Sequence, residues 1–291
     1  MEKMKIAIST ESCCDMPQEV IKRYNLKIVP YHIHIGDTEL IDGEISTAEL
    51  FARADALKTI PKTAAVNEAQ FEEHFGKLKQ TYDAVVHISL SGELSSSITN
   101  ARAVAERLGN IFVVDSRTLS SGVGLLAVYA SELAEEGYEP EEIARRVSAR
   151  TGAVQCSSVI ERLDYLYKGG RCNALVYFGA NLLKIRPRIV ITDGKIGTDR
   201  KYRGNIVRVQ EKYCKEILQD YPTPDLTRVF VVYTTATPEM IEVAKKACVE
   251  AGFKEIYEAQ AGGTVASHCG AHTLGIMYIN DGDKFADKTA K

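Results

Sequence analysis

The first half of the chain alternates between short apolar runs and longer segments in which apolar residues recur every three or four positions. The apolar runs, each of strand length, lie at residues 5–9, 27–35, 83–90 and 110–116. The segments with helical spacing cover residues 45–57, 67–80, 101–108, 124–137 and 140–152. Strand-length runs that alternate with helical segments predict an α/β domain, with helices on both faces of a parallel sheet.

Local signals sharpen two of these elements. Ser46 begins a helical segment and Glu49 follows three residues later, which is the capping box that starts a helix. The run at 27–35 is predicted as a single strand. Because Pro30 has no N–H to donate, we expect that strand at a sheet edge.

The pattern changes after residue 153. Further apolar stretches are separated by two longer helical patterns, at 206–219 and 238–251. This pattern of apolar stretches and helical segments predicts a smaller α+β domain with a mixed sheet. We therefore expect an N-terminal domain at 1–152, a C-terminal domain at 153–281 and a flexible tail at 282–291.

Composition argues against several classes of function. The 291 residues carry a net charge of −3, so no strong positive field attracts nucleic acid or anionic membranes. The N-terminus lacks the apolar core of a signal peptide, and no stretch approaches the roughly 18 apolar residues of a membrane span. Seven cysteines without regular spacing are expected to be reduced thiols. We expect a cytoplasmic protein without stable membrane insertion.

Hydroxyl side chains are concentrated at residues 87–101, which read HISLSGELSSSITNA directly after an apolar run. One of Ser95, Ser96 and Ser97 suffices to cap the next helix. The remaining hydroxyls suggest an anion or a polar head group, because a turn from a strand into a helix offers free N–H groups. From this stretch alone, capping and ligand binding both remain open.

A second cluster, LYKGGRCNAL at 166–175, places Gly169 and Gly170 directly before Arg171. Glycines allow a ligand or another segment to approach the backbone closely. Alternatively, Gly169 ends a helix.

Two more segments lie later in the chain. Residues 193–204 predict a β-hairpin with its turn at DGK, followed by basic residues. Residues 261–275 predict a glycine-rich loop that contains His268 and His272. Neither histidine belongs to an obvious helical stripe, so both are candidates for a site.

Several ordered motifs also carry a resemblance to a known family. The segment TESCCDMP at 10–17 is similar to T-D-S-x-x-D-x-P, with Glu11 in place of aspartate. The segment SGELSSSITNA at 91–101 resembles S-S-x-L-S-G-T-Y-x-S-A. Further matches, in family order, are DGEISTAELF, PKTAAVNEAQF, VVDSRTLSSGVG, LYKGGR, LLKIRPRI, DGKIG and SHCGAHTLG. Together these motifs resemble the DegV family, bacterial fatty-acid-binding proteins that serve as the lipid-carrying subunit of a fatty acid kinase.

The resemblance implies two unlike domains and an acyl chain buried in an apolar tunnel. The chain would bind a long-chain fatty acid as its ligand, without a cofactor or metal. It would be a non-catalytic subunit that presents the carboxylate to a partner ATP-dependent kinase for acyl phosphate formation. The implied carboxylate-binding residues are Thr63, Ser95, Ser96, Arg203 and His268. The implied supporting residues are Ser12, Ser91, Ser97, Gly170 and Arg171.

Elementary energetics agree with this arrangement. At about 0.8 kcal/mol per methylene, burial of a long acyl chain yields on the order of 10 kcal/mol before ordering and association costs. A partly buried carboxylate needs several donors to stay ionised, and hydroxyls, Arg203 and a protonated His268 are expected to supply them. Ser96 stands where the family has glycine, and Ala64 and Ala65 replace serine and glutamine. We therefore expect some difference in head-group geometry.

An anion-binding module is the main alternative function. Residues 89–93, SLSGE, resemble the S-x-S-G-x-T phosphate loop of sugar-isomerase domains and also follow an apolar run. In this alternative the Ser89–Ser97 loop would hold a phosphosugar or another anion. However, Leu94 stands where that loop has threonine.

Two catalytic or metal alternatives are weaker. A serine hydrolase would combine Ser95, His268 and Asp115, but no G-x-S-x-G motif frames any of these serines. A metal site would combine His268, Cys269 and His272, but no carboxylate lies nearby in the sequence.

Basic residues in the second half are a candidate docking surface for the kinase. The chain itself has no G-x-x-x-x-G-K-[ST] motif for ATP, so the phosphoryl transfer is assigned to the partner. The docking candidates are Lys184, Arg186, Arg188, Arg200 and Lys201.

Overall fold

The computed structural model describes residues 4–171 and 185–282. Its strands are β1 (Ile6–Glu11), β2 (Lys27–Val29), β3 (His32–Ile35), β4 (Thr38–Ile41), β5 (Lys62–Ala64), β6 (Ala84–Ser89), β7 (Ile111–Asp115), β8 (Val154–Val159), β9 (Ile185–Thr192), β10 (Lys195–Arg203), β11 (Arg228–Tyr233), β12 (Glu255–Gln260) and β13 (Leu274–Ile279). Its α-helices are α1 (Gln18–Arg23), α2 (Thr47–Leu57), α3 (Glu68–Lys79), α4 (Ser97–Leu108), α5 (Ser121–Glu136), α6 (Pro140–Arg150), α7 (Leu163–Lys168), α8 (Ile206–Asp220), α9 (Pro238–Ala251) and α10 (Gly263–Cys269).

The N-terminal half contains a four-stranded sheet in the order β2-β1-β6-β7. All three strand pairs are parallel. The prediction of a parallel sheet in an α/β arrangement is therefore confirmed. The carboxyl ends of β1 and β6 lie side by side, which brings the segment after Glu11 next to the hydroxyl-rich loop after Ser89.

The C-terminal half contains a six-stranded sheet in the order β10-β9-β8-β13-β11-β12. Strands β11 and β12 are parallel and joined through α9, whereas the other four pairs are antiparallel. The predicted mixed sheet is thus confirmed. The predicted hairpin is also present, because Asp193 and Gly194 form a two-residue turn with φ of 52° and 82° between β9 and β10.

The run at 27–35 is not one strand, which corrects the sequence prediction. Pro30 divides it into β2, at the edge of the parallel sheet, and β3, in a separate three-stranded sheet of order β4-β3-β5. Proline cannot donate to a strand ladder, so the chain changes sheet at this position. This small sheet places Thr63, the middle residue of β5, opposite Ile33.

The segment at 261–275 is not a continuous glycine-rich loop, as predicted, because Gly263–Cys269 forms α10. Tertiary contacts overcome the low helix propensity of glycine here. The N–H of Gly262 donates to the Asp15 carboxylate at 2.7 Å. A Cβ on Gly263 would lie 2.3 Å from the end of the Ile33 side chain, so a larger residue would force that side chain to move.

The helix signals in the first half are confirmed. Ser46 caps α2 by accepting from the Glu49 N–H, and Asn67 begins α3 with a complete capping box. Phe71 and Phe75 of α3 are fully buried.

Helix α5 connects the two large sheets. Most of its residues are buried, and its apolar side chains share one core with Val86 of the parallel sheet and Met277 of the mixed sheet. The core is therefore continuous across the domain boundary predicted at residue 152, and that boundary stays a prediction. Of the tail predicted at 282–291, residues 283–291 lie outside the described residues. Within the described ranges, no helix is long and apolar enough to cross a membrane.

Candidate functional site

A cavity of about 70 Å³ lies where α10, β5, the loop after β6 and the end of α7 meet. Most of its wall is apolar, and Leu90, Leu119 and Leu166 contribute to it. Its polar residues include Thr63, which gives the cavity its name here, the Thr63 pocket. The remaining polar or ionisable residues of the lining are Cys13, Tyr31, Ser95, Arg171, Thr264, His268 and Cys269.

Thr63 and His268 form the central polar contact of the pocket. The Thr63 hydroxyl lies 2.9 Å from Nε2 of His268, across 205 residues of sequence. Strand β5 positions the threonine and α10 positions the histidine. The sequence motifs named both residues, and the fold brings them together.

His268 is neutral at pH 7, which corrects the expectation of a protonated donor. Burial lowers its pKa to about 4, and the positive charge of Arg171 lowers it further. A neutral imidazole has one N–H donor and one acceptor nitrogen. The histidine can therefore exchange a hydrogen bond with Thr63, but it adds no positive charge to the pocket.

Ser95 is the member of the hydroxyl cluster that faces the pocket. Its oxygen accepts hydrogen bonds from the Tyr31 hydroxyl at 3.0 Å and from the Ser97 N–H at 3.2 Å. Since both contacts use the oxygen as an acceptor, the hydroxyl proton of Ser95 remains available for a ligand.

The other serines of the cluster have structural contacts. The Ser91 hydroxyl donates to the Gly194 carbonyl at 2.8 Å, and Ser97 accepts from the Val66 N–H at 3.0 Å. Ser96 precedes α4, is exposed, and its side chain makes no cap hydrogen bond. None of these three residues lines the Thr63 pocket.

Ser12 also lies behind the pocket rather than in its wall. Its hydroxyl donates to the Asp42 carboxylate at 2.8 Å and accepts from the Tyr31 N–H at 3.0 Å. It thereby fixes the backbone of Tyr31, whose hydroxyl reaches Ser95.

The positive charge at the pocket comes from Arg171. Its guanidinium donates to the Gly169 carbonyl at 2.7 Å, while the side chain stays exposed to solvent. Arg203, which the resemblance named, is an exposed residue at the end of β10 and is not part of the pocket lining. Gly170, with φ of 69°, forms the turn between α7 and Arg171.

The apolar wall continues into two smaller cavities of about 30 Å³ each. Leu119 and Cys269 line all three cavities, so the path branches at these two side chains. One branch runs along Ile189 and Ile191, and the other runs toward Val232. Burial raises the pKa of Cys269 to about 12, and its thiol therefore stays protonated.

Two buried carboxylates brace the walls of the pocket. Glu11 accepts from the Leu90 N–H at 2.6 Å and from the Ser89 hydroxyl at 2.7 Å, which fixes the start of the loop. Asp15 accepts from the Ser120 hydroxyl and from the Gly262 N–H in front of α10. Burial raises the pKa of Asp15 to about 8.

Sequence reasoning missed Tyr31 and Thr264 as pocket residues. Tyr31 follows Pro30 and belongs to a sheet that was not predicted, so no periodicity pointed to it. Thr264 lies in a segment that was predicted as a loop, and in a loop a spacing of four residues from His268 does not indicate that the two side chains lie close together. Only the helical form of α10 places the two residues on one face.

The predicted docking residues are largely engaged elsewhere. The prediction that Arg188 belongs to a docking surface is wrong. Its side chain is only 2% exposed and pairs with Asp199 and Asp220, so it offers no surface charge. Arg186 donates to Glu161 and to the Gly204 carbonyl. Arg200 is paired with Glu216 and Asp220. Lys201 is exposed, and Lys184 lies outside the described residues.

The catalytic and metal alternatives gain no support from the geometry. The hydrogen-bond partner of His268 is Thr63 rather than Ser95, and Asp115 instead accepts from the Gly92 and Arg117 N–H groups. Over residues 4–171 and 185–282, no group of three or more His, Cys, Asp or Glu residues could hold a metal ion. All six cysteines in these ranges are free thiols.

Comparison with known proteins places the chain in a family. The family model described as "Uncharacterised protein, DegV family" matches residues 5–281. The chain belongs to the DegV family. A DegV domain-containing protein of Clostridium acetobutylicum is 27% identical over 285 residues, which cover 96% of this chain and 99% of that relative.

Solved DegV structures share the fold. A DegV family protein from Thermus thermophilus, described as binding fatty acid, has a TM-score of 0.86 at 24% identity and covers 95% of this chain and 100% of its own. A DegV lipid-binding protein from Thermotoga maritima has a TM-score of 0.84 at 25% identity, with 95% and 98% of the two chains covered. The DegV fold thus extends over nearly the whole chain.

Proposed function

We propose that this chain binds a long-chain fatty acid, with the carboxylate in the Thr63 pocket and the acyl chain along the branched apolar path. The observation that carries the proposal is that a cavity with a polar end, formed by Thr63, Ser95 and His268, shares Leu119 and Cys269 with two apolar cavities behind it. A molecule with one polar end and a long apolar chain matches this order of surfaces. The descriptions of the Thermus thermophilus and Thermotoga maritima relatives support it.

Affinity and orientation would come from different parts of the ligand. Burial of the acyl chain supplies on the order of 10 kcal/mol before ordering and association costs. The hydroxyls and Arg171 would orient the carboxylate near the surface. Because the three cavities are narrow and separate, we expect flexible side chains at their junction, such as Leu119 and Met277, to change rotamer on binding.

The anion-binding alternative is less favoured. It requires the hydroxyls of residues 89–97 to be available together. Ser89 donates to Glu11 and Ser91 donates to the Gly194 carbonyl, so their hydroxyl protons are already used, and Ser97 is fully buried outside the pocket lining. These contacts leave Ser95 as the hydroxyl of the loop that faces a pocket.

Mass spectrometry of an organic extract of the natively purified protein tests the proposal. A stoichiometric long-chain fatty acid is the expected result and identifies the ligand. An empty extract, together with no binding after incubation with palmitate and oleate, would overturn the proposal. Binding of a sugar phosphate under the same conditions would instead support the anion-binding alternative.

We further propose that the bound fatty acid is presented to a partner ATP-dependent kinase, which forms the acyl phosphate. Such a transfer requires an ionised carboxylate that a second protein can reach. The exposure of Arg171 at the pocket is consistent with an opening at this end. With Arg188 buried and Arg186 paired with Glu161, the described part of the docking surface reduces to Arg200 and Lys201. Lys184 stays a prediction outside the described residues.

An acyl phosphate assay with the kinase and ATP tests this second step. The variant Lys201→Glu should slow acyl phosphate formation while fatty acid affinity stays unchanged. Lys215→Glu, an exposed lysine on α8, is the matched control. Equal turnover in both variants would remove Lys201 from the docking surface, and no acyl phosphate from the wild-type pair would overturn the kinase proposal itself.

A further inference from the structure

Thr264 lies in the first turn of α10 and lines the Thr63 pocket. The residue is only 5% exposed, and its side-chain oxygen has no hydrogen-bond partner. His268 follows four residues later on the same face of the helix and lines the same pocket. Helix α10 therefore places Thr264 and His268 at the pocket, and of these two only the histidine has a side-chain partner there, Thr63.

An unpartnered buried hydroxyl is an exception that calls for a physical reason. Nearby hydroxyls of the same segment do find partners within the protein. Ser267 donates to the Gly263 carbonyl at 2.6 Å, and Thr273 donates to the Cys269 carbonyl at 3.0 Å. Thr264 differs because it lines a cavity and its oxygen bonds to no carbonyl of the protein. A ligand in that cavity is the group that could satisfy it.

We propose that Thr264 is a further binding residue of this site and that its hydroxyl donates a hydrogen bond to the carboxylate of the bound fatty acid. The inference rests on the function proposed above. It adds Thr264 on α10 to the hydroxyls of Thr63 on β5 and Ser95 on the loop before α4, whereas the fourth hydroxyl of the lining, that of Tyr31, already donates to Ser95. The first three groups come from three separate elements, so a carboxylate that bonds to all of them also holds those elements together.

The chemistry of the head group fits this role. An ionised carboxylate only accepts hydrogen bonds, and it offers about four lone-pair sites to donors. Hydrogen bonds to an ionised acceptor are roughly twice as strong as those between neutral groups. Thr264 should therefore favour a free fatty acid over its ester, whose neutral carbonyl is a weaker acceptor.

The test compares Thr264→Val, which keeps the side-chain shape and removes the hydroxyl, with Thr264→Ser, which keeps the hydroxyl. Binding of palmitate and of methyl palmitate is measured by calorimetry, and thermal unfolding is measured without ligand. In Thr264→Val we expect palmitate to bind about 5- to 20-fold more weakly, since one charge-assisted hydrogen bond is lost. Methyl palmitate should be affected much less, and Thr264→Ser should retain most of the palmitate affinity.

The unfolding temperature separates a binding role from a structural one. Because Thr264→Val removes an unsatisfied buried hydroxyl, the unfolding temperature should stay the same or rise. Thr99→Val, an exposed threonine on α4, is the control and should change neither quantity.

Three results would overturn the inference. If wild-type protein binds palmitate and Thr264→Val binds it equally well, Thr264 has no such role and the proposed function stands. A lower unfolding temperature with equal losses for acid and ester would show a structural role. If wild-type protein does not bind palmitate at all, the proposed function fails and this inference fails with it.

Discussion

Two cavities of the molecule differ in size and in how their polar groups are paired. The larger is a groove of about 520 Å³ between α5, α6 and β11, here named the Arg150 groove after one of its lining residues. The Thr63 pocket is much smaller, at about 70 Å³. If volume alone marked a ligand site, the groove would be the candidate.

The charged groups of the Arg150 groove mainly satisfy one another. Arg150 pairs with Asp225 and with Asp281, each at 2.8 Å, and Arg228 pairs with Glu132 at 2.6 Å. These contacts connect α5 and α6 to the mixed sheet. The groove is therefore a charged joint between elements of the fold.

The Thr63 pocket shows the opposite pattern. The Thr264 hydroxyl and Nδ1 of His268 have no hydrogen-bond partner, and Ser95 keeps a donor available. Unsatisfied polar groups can gain hydrogen bonds from a ligand, whereas paired charges must first be separated. The pairing of polar groups is thus a better guide to this site than cavity volume.

The largest expected effect comes from removing the ion pairs of the Arg150 groove, which lie outside the Thr63 pocket. Arg150→Met leaves the carboxylates of Asp225 and Asp281 without their buried partner, so we expect a loss of about 3–5 kcal/mol in unfolding free energy. Palmitate affinity of the folded protein should be unchanged. Chemical denaturation and calorimetry measure the two quantities. The control, Arg145→Met, changes an exposed arginine that pairs with Glu142 and should leave stability unchanged.

If folded Arg150→Met loses palmitate affinity as well as stability, the two cavities are not independent. A wild-type stability would contradict the role of the groove as a joint.

The next effect concerns pH and the carboxylate that supports α10. Asp15 titrates at about 8 in the folded chain and near 3.8 when unfolded, so the folded state binds more protons between these values. Its contribution to stability is therefore greatest below about pH 4 and declines as pH rises through 8. Asp15→Asn keeps the shape and removes this titration, so its stability relative to wild type should rise by about 2–4 kcal/mol between pH 4 and 8.

Denaturation of wild type and Asp15→Asn across that pH range checks the sign. A constant difference between them would show that the folded carboxyl titrates normally. His268 has the opposite linkage, since its folded pKa of about 4 lies below the ordinary value of 6.5 and its contribution declines as pH falls from about 6.5 to 4.

A third prediction perturbs the pocket sterically. A Cβ on Gly169 would lie 2.4 Å from Nδ1 of His268, so Gly169→Ala should displace the ring and break its contact with Thr63. The clash costs about 1–3 kcal/mol. Where the ligand-bound state carries this cost, we expect palmitate affinity to fall about tenfold.

Gly76→Ala in α3 is the matched control, because a Cβ there meets nothing within 4 Å. It should stabilise the protein slightly and leave affinity unchanged. Wild-type affinity in Gly169→Ala would remove His268 from the site.

The smallest effect tests the outer support of the pocket. Ser91→Ala removes the hydrogen bond to the Gly194 carbonyl, which should lower unfolding free energy by about 1 kcal/mol. Since the loop that carries Ser95 also loosens, palmitate affinity should fall by about two- to fivefold. Ser148→Ala, which removes an exposed hydroxyl on α6, is the control in the same two measurements. An unchanged affinity would show that Ser95 is held independently of the hairpin.

Local patterns predicted most of the large elements, because their signals are contained within single segments. The alternation of runs predicted the parallel sheet, and the DGK turn predicted the β9–β10 hairpin. The two errors in structure arose where distant contacts decide. The residues after Pro30 pair with β4 and β5 instead of continuing in the parallel sheet, and the Asp15 contact with Gly262 stabilises a helix in a glycine-rich segment.

The site was predicted in part for the same reason. Motifs indicated Thr63, Ser95 and His268, and the fold places all three at one pocket. Charged residues were harder to assign, because their position on a strand does not say whether they face solvent or a partner. Arg203 lies outside the pocket lining and Arg188 is buried in ion pairs, while the supporting residue Arg171 provides the charge at the pocket.

The hydrogen bonds around the pocket also bear on when the pocket forms. Ser91 and Gly194 are 103 residues apart in sequence, Thr63 and His268 are 205 apart, and Asp15 and Gly262 are 247 apart. Contacts of such separation form late, because the long loops between them must close first. During synthesis, β5 and the serine loop emerge long before α10. A chain that is still being made, or one that is truncated before residue 263, therefore has no complete pocket, and the proposed ligand binding would report the folding of both halves at once.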